Sequence, residues 1–195
     1  PNVDSLYANR AASNLNLHKY QKVVEDYTKA IKLNCDKSLY WKGIGVAKFY
    51  LKKYSSAIKD FDESISLDDK DAYTYLYRGR SNYALGKYKE AIKDLEKSIS
   101  IMEKETDADY LDNLGIAYGL IGESKFNLEQ WDSSIKYLSK GIEIEEGINI
   151  SVTLRLRGIC HKKLGNKRGA INDFNKAIEL GDQDSIDHLE LLLND

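Results

Sequence analysis

The sequence predicts an all-α fold built from repeated pairs of helices, and three observations support this. The chain has 195 residues but a single proline, Pro1, whereas an average usage of roughly 5% would give about ten. Because proline fixes φ and lacks an N–H, a chain almost free of it is most simply read as helical. Apolar residues recur at steps of three and four, as on one face of a helix. Similar blocks also recur along the chain, which indicates internal repeats.

Five blocks share one pattern, and their spacing gives the length of the repeat. Their aligned residues are Tyr20, Tyr54, Tyr88, Trp131 and Lys167. The spacings between them are 34, 34, 43 and 36 residues. Ahead of each block lies a second helical pattern, in which a bulky residue such as Tyr75 is followed four positions later by a small one, here Gly79. Each unit is therefore predicted to be a helix–turn–helix, with the small residue allowing close contact between its two helices.

A 34-residue helix–turn–helix of this composition resembles the tetratricopeptide repeat family. The segment YLYRGRSNYALGKYKEAIKDLEKSI, from Tyr75 to Ile99, matches nearly every signature position of that family. The resemblance covers the whole chain, and it implies a right-handed superhelical solenoid whose first helices line a concave face. The main departures are Cys35, Asp69 and Asp182, which stand where the family usually has a proline after the second helix.

The repeats divide the chain into five units and a tail. The predicted units span 4–37, 38–71, 72–105, 106–148 and 149–184, followed by a C-terminal capping helix over 185–195. The fourth unit is longer than its neighbours, so its first helix is predicted to run from Thr106 to Leu128. That helix fits two registers seven residues apart, one with Leu111 and Gly115 on the packing stripe and the other with Tyr118 and Gly122 there. Both registers use almost the same helix face, and the sequence leaves them open.

Residues that could carry catalysis or bind a metal are scattered. The three histidines and two cysteines share no metal-ligand spacing, and the motifs typical of nucleotide, zinc and calcium sites are missing. With 29 basic and 31 acidic residues the net charge is −2, which argues against nucleic acid as a partner. No apolar run approaches the roughly 18 residues of a membrane span. We therefore expect no enzyme activity, cofactor or metal, and a cytoplasmic location, or an extracytoplasmic (for example periplasmic) one if a signal has been removed.

The concave face supplies the candidate binding residues. With Tyr7, Trp41, Tyr75 and Leu154 at position 4 of repeats 1, 2, 3 and 5, helical spacing places positions 2, 5, 6, 9 and 13 on the inner face. For repeat 4 the first register is used. The predicted groove residues are Asn9, Lys42, Tyr50, Tyr73, Tyr77, Arg80, Asn113 and Arg155.

The chemistry of these residues suits peptide binding. Tyrosines beside an arginine are typical of binding hot spots, because they bury large areas at low entropy cost. The amides of Asn9 and Asn113 can hold the backbone of an extended peptide. The tyrosines could equally cover the seams between repeats. Some family members hold a chaperone's C-terminal carboxylate in a clamp of lysine, asparagine and arginine, but here Gly43 and Tyr77 occupy two of the asparagine positions, so this mode is not expected.

We therefore predict a protein–protein interaction module that acts as an adaptor, assembly factor or co-chaperone. Its partner would be an extended or helical protein segment that is apolar, with some acidic character. The alternative is a structural scaffold that self-assembles through repeat ends or the long helix of repeat 4. A leucine-rich tail, Leu191 to Leu193, could also serve such homo-oligomer formation.

Overall fold

The computed structural model describes residues 2–104, 110–144 and 148–194, and these residues form helices without any β-strand. The predicted all-α class is therefore confirmed. No helix in the described residues is both long and apolar enough to cross a membrane. The helices are α1 (Val3–Asn16), α2 (Tyr20–Leu33), α3 (Ser38–Tyr50), α4 (Tyr54–Leu67), α5 (Ala72–Ala84), α6 (Tyr88–Met102), α7 (Leu111–Asn127), α8 (Trp131–Ile144), α9 (Ile150–Lys163), α10 (Lys167–Glu179) and α11 (Asp184–Asn194).

The helices form successive packed pairs within two compact units, 1–101 and 102–195. In the first unit α1 packs on α2 and α3 on α4, while α2 and α4 also contact the first helix of the following repeat. The hydroxyl of Ser98 on α6 donates to the carbonyl of Ala72 on α5 (2.8 Å). In the second unit α7 packs on α8, α9 on α10, and α11 on α10.

A glycine at position 8 allows close contact within four of the helix pairs. A Cβ atom built on Gly45 would lie 2.5 Å from the ring of Phe61, and one on Gly158 would lie 2.6 Å from the ring of Phe174. These distances are far below van der Waals contact, so glycine is required there. The same contact, always with the residue sixteen positions later, joins Gly45 to Phe61, Gly79 to Leu95, Gly122 to Leu138 and Gly158 to Phe174.

This contact also decides the register of repeat 4. Gly122 faces Leu138, and Tyr118 is buried (5% exposed), whereas Leu111 is 49% exposed. The second register is therefore the one that packs, and position 1 of repeat 4 falls on Gly115. Helix α7 has 17 residues, against 13 for α3 and α5, so its additional turn precedes position 1. The predicted start at Thr106 lies outside the described residues.

Each first helix ends in the same tight turn. At the end of α1 the N–H of His18 donates to the carbonyl of Leu15 (2.9 Å) and the N–H of Lys19 to that of Asn14 (2.8 Å), which is a Schellman motif. The motif needs a left-handed residue, and His18, Lys52 and Glu129 adopt positive φ values of 55°, 58° and 58° there, with glycine at the equivalent Gly86 and Gly165. The turns thus place side chains where the family pattern has glycine.

In four of the repeats, an ion pair to a largely buried aspartate joins the two helices. Arg78 of α5 donates two hydrogen bonds, of 2.9 and 2.6 Å, to the carboxylate of Asp94 on α6. Repeat 2 has Ile44 at the arginine position, and Lys48 takes over by pairing with Asp60 (2.7 Å). The equivalent arginine pairs are Arg10–Asp26, Arg78–Asp94 and Arg157–Asp173. These pairs were not predicted from the sequence, although the sixteen-residue spacing of arginine and aspartate recurs there.

The last helix, α11, covers the end of the final pair. Leu192 is buried (6% exposed) in a cluster with Ala170 and Phe174, and the ring of His188 stacks on that of Phe174, with centroids 5.5 Å apart. The capping helix predicted from the sequence is thus present. Leu191 and Leu193, on other sides of the same helix, are about 60% exposed (60% and 59%).

Candidate functional site

Three tyrosines from successive repeats form a continuous aromatic cluster in the first unit. Tyr20, the first residue of α2, stacks on Tyr50, the last residue of α3, with ring centroids 4.9 Å apart and planes 9° from parallel. The hydroxyl of Tyr50 is in turn 3.1 Å from that of Tyr77 on α5. Two of the predicted groove residues, Tyr50 and Tyr77, are therefore in direct contact, and they are joined by Tyr20.

Tyr77 is held in place by rings of the second repeat. Its ring packs edge-on against Phe49 (centroids 5.3 Å apart) and lies nearly parallel to Phe61 (6.4 Å, 26°). Burial, followed by the hydrogen bond with Tyr50, raises the pKa of the Tyr77 phenol above its ordinary value. The hydroxyl therefore stays protonated at neutral pH. Tyr50 is 43% exposed, so the cluster has an anchored member and an open one.

Arg80 lies directly over this cluster. Its guanidinium carbon is 4.8 Å from the centroid of Phe49 and 5.0 Å from that of Tyr77, distances at which a cation is attracted to an aromatic face. Arg10, Arg78, Arg155 and Arg157 all pair with aspartates, whereas no carboxylate in the described residues lies within the 4.0 Å of an ion pair from Arg80. Its charge is available for a partner, as far as the described chain goes.

The cluster borders a cavity of about 360 Å³. Histidine and asparagine side chains add polar groups to its aromatic wall, and Nδ1 of His18 is 2.9 Å from the hydroxyl of Tyr20. The lining residues are Leu15, Asn16, His18, Tyr20, Val46, Tyr50 and Tyr77. The structure therefore offers a cleft that can receive an apolar side chain and hydrogen-bond the groups beside it.

Of the predicted groove residues, only Tyr50 and Tyr77 line this cavity, and Arg80 lies beside it over the ring of Tyr77. Asn9 is exposed on α1 and Tyr73 is half-buried on the first turn of α5, both outside the lining. Lys42 forms an ion pair with Asp71 (3.1 Å). In the second unit, Arg155 has the same role, with Asp182 at 3.0 Å and Asp184 at 3.2 Å. Each of these two cations lies on the first helix of its repeat and pairs with an aspartate just before the helix that follows the repeat. Their charges are therefore already neutralised.

The prediction that Asn113 lies in the groove depended on the register chosen for repeat 4. Since Gly115 is position 1 of that repeat, Asn113 lies on the extra turn of α7 and not at position 6, which is Leu120. The groove assignment made with the first register is therefore corrected. Both registers looked alike in sequence because seven residues make almost two helical turns.

Sequence reasoning did not assign His18, Tyr20 and Phe49 to the site. Tyr20 was identified only as the residue that opens a repeated block, and Phe49 as neither groove nor turn. The sequence does contain a pattern that indicates contacts between these rings, because positions 12 and 17 are both aromatic in three repeats. Their rings are in contact in the pairs Phe49–Tyr54, Tyr83–Tyr88 and Phe126–Trp131. No group of three or more potential metal ligands occurs in the described parts of the chain.

Comparisons with known proteins support the fold. Models of the tetratricopeptide repeat match residues 72–105 and 156–182. Comparison of the chain with curated proteins gave no match. Among solved structures, MamA superposes with a TM-score of 0.76 at 20% identity, covering 90% of each chain. A MamA chain from Desulfovibrio magneticus RS-1 gives 0.76 at 19% identity, over 91% of this chain and 94% of that one.

Two further solved structures come with descriptions that mention peptides. YrrB, described as a TPR protein with an unusual peptide-binding site, superposes with a TM-score of 0.78 at 17% identity, covering 94% of this chain and 90% of that one. The first TPR of Spaghetti (RPAP3), bound to the HSP90 peptide SRMEEVD, gives 0.57 at 21% identity over 64% and 92%. At these identities the likeness concerns the fold. Together with the repeated helix pairs, this likeness shows a tetratricopeptide-type fold, and the family models identify tetratricopeptide repeats at residues 72–105 and 156–182.

Proposed function

We propose that this chain is a non-catalytic protein-interaction module whose first unit binds a peptide segment of a partner at the tyrosine cavity. The observation that carries the proposal is the cavity itself, which is lined by the half-exposed Tyr50 and the anchored Tyr77, with Arg80 over the ring of Tyr77. A module of this kind serves as an adaptor, assembly factor or co-chaperone, and needs no cofactor.

The size and composition of the cavity suit a peptide side chain. Its volume of about 360 Å³ is at the lower end of the roughly 300 to 1,000 Å³ of ligand pockets. Tyrosine and arginine dominate binding hot spots, because they combine large contact area with directional hydrogen bonds. Since Tyr77 and Phe49 are already fixed by packing, little side-chain entropy is lost when a partner binds.

The solved structures add support of a general kind. YrrB is described with a peptide-binding site and the RPAP3 repeat with a bound peptide, so peptide binding is compatible with this fold. The ion pairs of Arg155 with Asp182 and Asp184 narrow the proposal to the first unit, because they neutralise the predicted groove cation of the second unit. The packing interpretation of the tyrosines also applies, since Tyr77 both covers a seam and lines the cavity.

The proposal can be tested with peptides selected from a random displayed library against the purified chain. The selected peptides are synthesised, and their dissociation constants are measured by fluorescence anisotropy. We expect Tyr50→Ala to weaken binding by about tenfold or more, as for a hot-spot residue, with an unchanged circular dichroism spectrum. Tyr7→Ala is the matched control, because Tyr7 lies in the same unit but outside the cavity lining. Peptides that bind Tyr50→Ala and the unmodified chain equally well would contradict the proposal.

A self-assembling scaffold is the second candidate, favoured by the exposed leucines of α11. Leu191 and Leu193 are 60% and 59% exposed on a helix whose third leucine, Leu192, is buried. Analytical ultracentrifugation over a concentration series separates the two candidates. A scaffold gives a mass that rises with concentration and falls back to the monomer in the double variant Leu191→Glu, Leu193→Glu. A monomer at all concentrations would rule the scaffold out.

A further inference from the structure

Lysines occupy an unfavourable place at the start of the second helices in the first unit. Lys19 and Lys53 are the N-cap residues of α2 and α4, and neither side chain makes a capping hydrogen bond. Lys87 directly precedes α6. Lysine has no acceptor to offer the free N–H groups of a helix start, and its charge meets the positive end of the helix dipole. In all three repeats of the first unit, the residue before the second helix is therefore a lysine, which is unfavourable for the stability of that helix.

The second unit shows that this turn can be built with a proper cap. There the N-cap of α10 is Asn166, whose side-chain oxygen accepts a hydrogen bond from the N–H of Gly169 (2.9 Å). Gln130 stands before α8. The backbone turn is the same, since the N–H of Asn166 donates to the carbonyl of His161 (2.9 Å) as the N–H of Lys19 does to Asn14. The lysines are thus not required by the turn, which points to a role for their charge.

These lysines make one end of the helix pairs strongly basic. The three turns of the first unit, residues 17–19, 51–53 and 85–87, contain four exposed lysines and no acidic residue. No carboxylate in the described chain lies within 4.0 Å of their ammonium groups. The linkers at the other end, 34–37 and 68–71, contain four aspartates and two lysines. We call the four exposed lysines of these turns, Lys19, Lys52, Lys53 and Lys87, the lysine edge.

The tyrosine cavity opens at this edge. His18 lies in the first of the basic turns, next to Lys19, and Tyr20 begins the helix that follows. Asn16 and Tyr50 end the first helices of repeats 1 and 2. We propose that the lysine edge binds an acidic extended segment of the same partner, whose apolar anchor enters the tyrosine cavity. This inference rests on the proposed function and specifies the chemistry of the partner.

The geometry sets the spacing of the acidic residues. Helix α3 contacts both α1 and α5, and packed helix axes lie about 8 to 10 Å apart. An extended chain advances roughly 3.3 Å per residue. Carboxylates three residues apart therefore match Lys19, Lys53 and Lys87 in succession. The expected motif is an aromatic or large aliphatic residue followed by acidic residues at every third position.

The test uses a fluorescein-labelled synthetic peptide with one phenylalanine followed by three glutamates, each separated by Gly-Ser. A second peptide carries lysines instead of the glutamates. The triple variant Lys19→Asn, Lys53→Asn, Lys87→Asn removes the charge and supplies capping side chains, so folding is preserved. We expect it to bind the acidic peptide about tenfold more weakly at low salt, with the difference shrinking as salt screens the charges. The lysine peptide should bind neither protein.

A control triple removes the same charge elsewhere. Lys32→Gln, Lys59→Gln and Lys93→Gln change exposed lysines on the second helices, and we expect affinity to stay within about twofold, since distant exposed charges are screened. Equal loss in both triples would overturn the lysine edge. If Tyr50→Ala weakens binding but the first triple does not, the edge is wrong and the proposed function stands. If neither variant changes binding of any selected peptide, both are wrong. Preferential binding of phosphatidylserine vesicles or duplex DNA to the edge would also overturn it.

Discussion

The two units of the molecule share a framework and differ in the surface built on it. Both use a position-8 glycine against a large side chain, as in Gly45 with Phe61 and Gly158 with Phe174. Their turns differ, since the second helices start after lysines in the first unit and after Gln130 and Asn166 in the second. The comparison teaches that the close glycine contact recurs in both units, whereas the residue that precedes the second helix varies, because the Schellman turn constrains the backbone there and not the side chain.

The two units also differ in the residues at the positions that form the aromatic cluster. In the first unit, positions 13 and 6 supply Tyr50 and Tyr77. In the second unit, position 13 holds Asn127 and Lys163, and position 6 holds Leu120 and Leu156. Rings in contact with one another need aromatic residues at both positions in neighbouring repeats, and only the first unit has them among the positions described. The binding proposal therefore concerns one unit, while the framework belongs to both.

The largest effect is expected from breaking the shared framework at its buried ion pairs. Arg78→Ala in the first unit and Arg157→Ala in the second each leave a carboxylate, Asp94 or Asp173, without its cation; their side chains are only 6% and 2% exposed. Removing one partner of a buried pair costs about 3 kcal/mol or more. Urea denaturation should show similar losses in both units. A cost near zero in one unit would show that its pair does not stabilise the fold.

A somewhat smaller loss is expected from filling the close contacts. Gly45→Ala or Gly158→Ala would place a Cβ within 2.5 or 2.6 Å of a phenylalanine ring, and overpacking of this kind costs about 1 to 3 kcal/mol. The two substitutions should lower the free energy of unfolding by comparable amounts, measured in urea. Equal stability of either variant and the unmodified chain would mean that the helices can separate without cost.

Exchanging caps between the units tests the contrast in the turns directly. Lys53→Asn should stabilise the first unit and Asn166→Lys should destabilise the second, each by about 0.5 to 1 kcal/mol, the usual value of an N-cap. Thermal unfolding of the two variants checks both signs. If Lys53→Asn destabilises the protein, the lysine contributes to folding, and its place at the helix start needs no binding role.

The smallest effect concerns the dependence of stability on pH in the first repeat. Hydrogen bonding from Arg10 holds the pKa of the Asp26 carboxyl below its ordinary value, against the opposing effect of burial. Asp26 therefore contributes stability above its unfolded pKa and loses it as pH falls through the lowered folded pKa. Asp26→Asn should be less stable than the unmodified chain at neutral pH, and the difference should vanish at strongly acidic pH. Tyr137 takes this position in repeat 4, so Tyr137→Phe should leave the pH profile unchanged.

The sequence was sufficient for the fold and for part of the site. Helical spacing brought Tyr50, Tyr77 and Arg80 to one surface, because positions 13, 6 and 9 follow from the period of the helix. It did not place His18 there, since a left-handed turn residue obeys no helical period. It also left Lys42 and Arg155 unpaired, because their aspartate partners lie in linkers, at Asp71 and Asp182. Contacts across a linker depend on how successive repeats dock, which a helical pattern does not contain.

The ion pairs across the linkers also affect the mechanics of the chain. Asp182 stands at one of the places where the family usually has a rigid proline, and it binds both Arg155 and the hydroxyl of Ser185 (2.5 Å). The ring of a proline stiffens a junction permanently, whereas an ion pair can break and re-form. The solvent-exposed part of such an ion pair is weakened by salt. At this junction Arg155 and Asp182 are only 21% and 8% exposed, whereas Asp184 is 71% exposed, so salt weakens the contact with Asp184 and largely spares the one with Asp182. Under tension, this junction should therefore yield at the Asp184 contact first and resist longest at the buried pair.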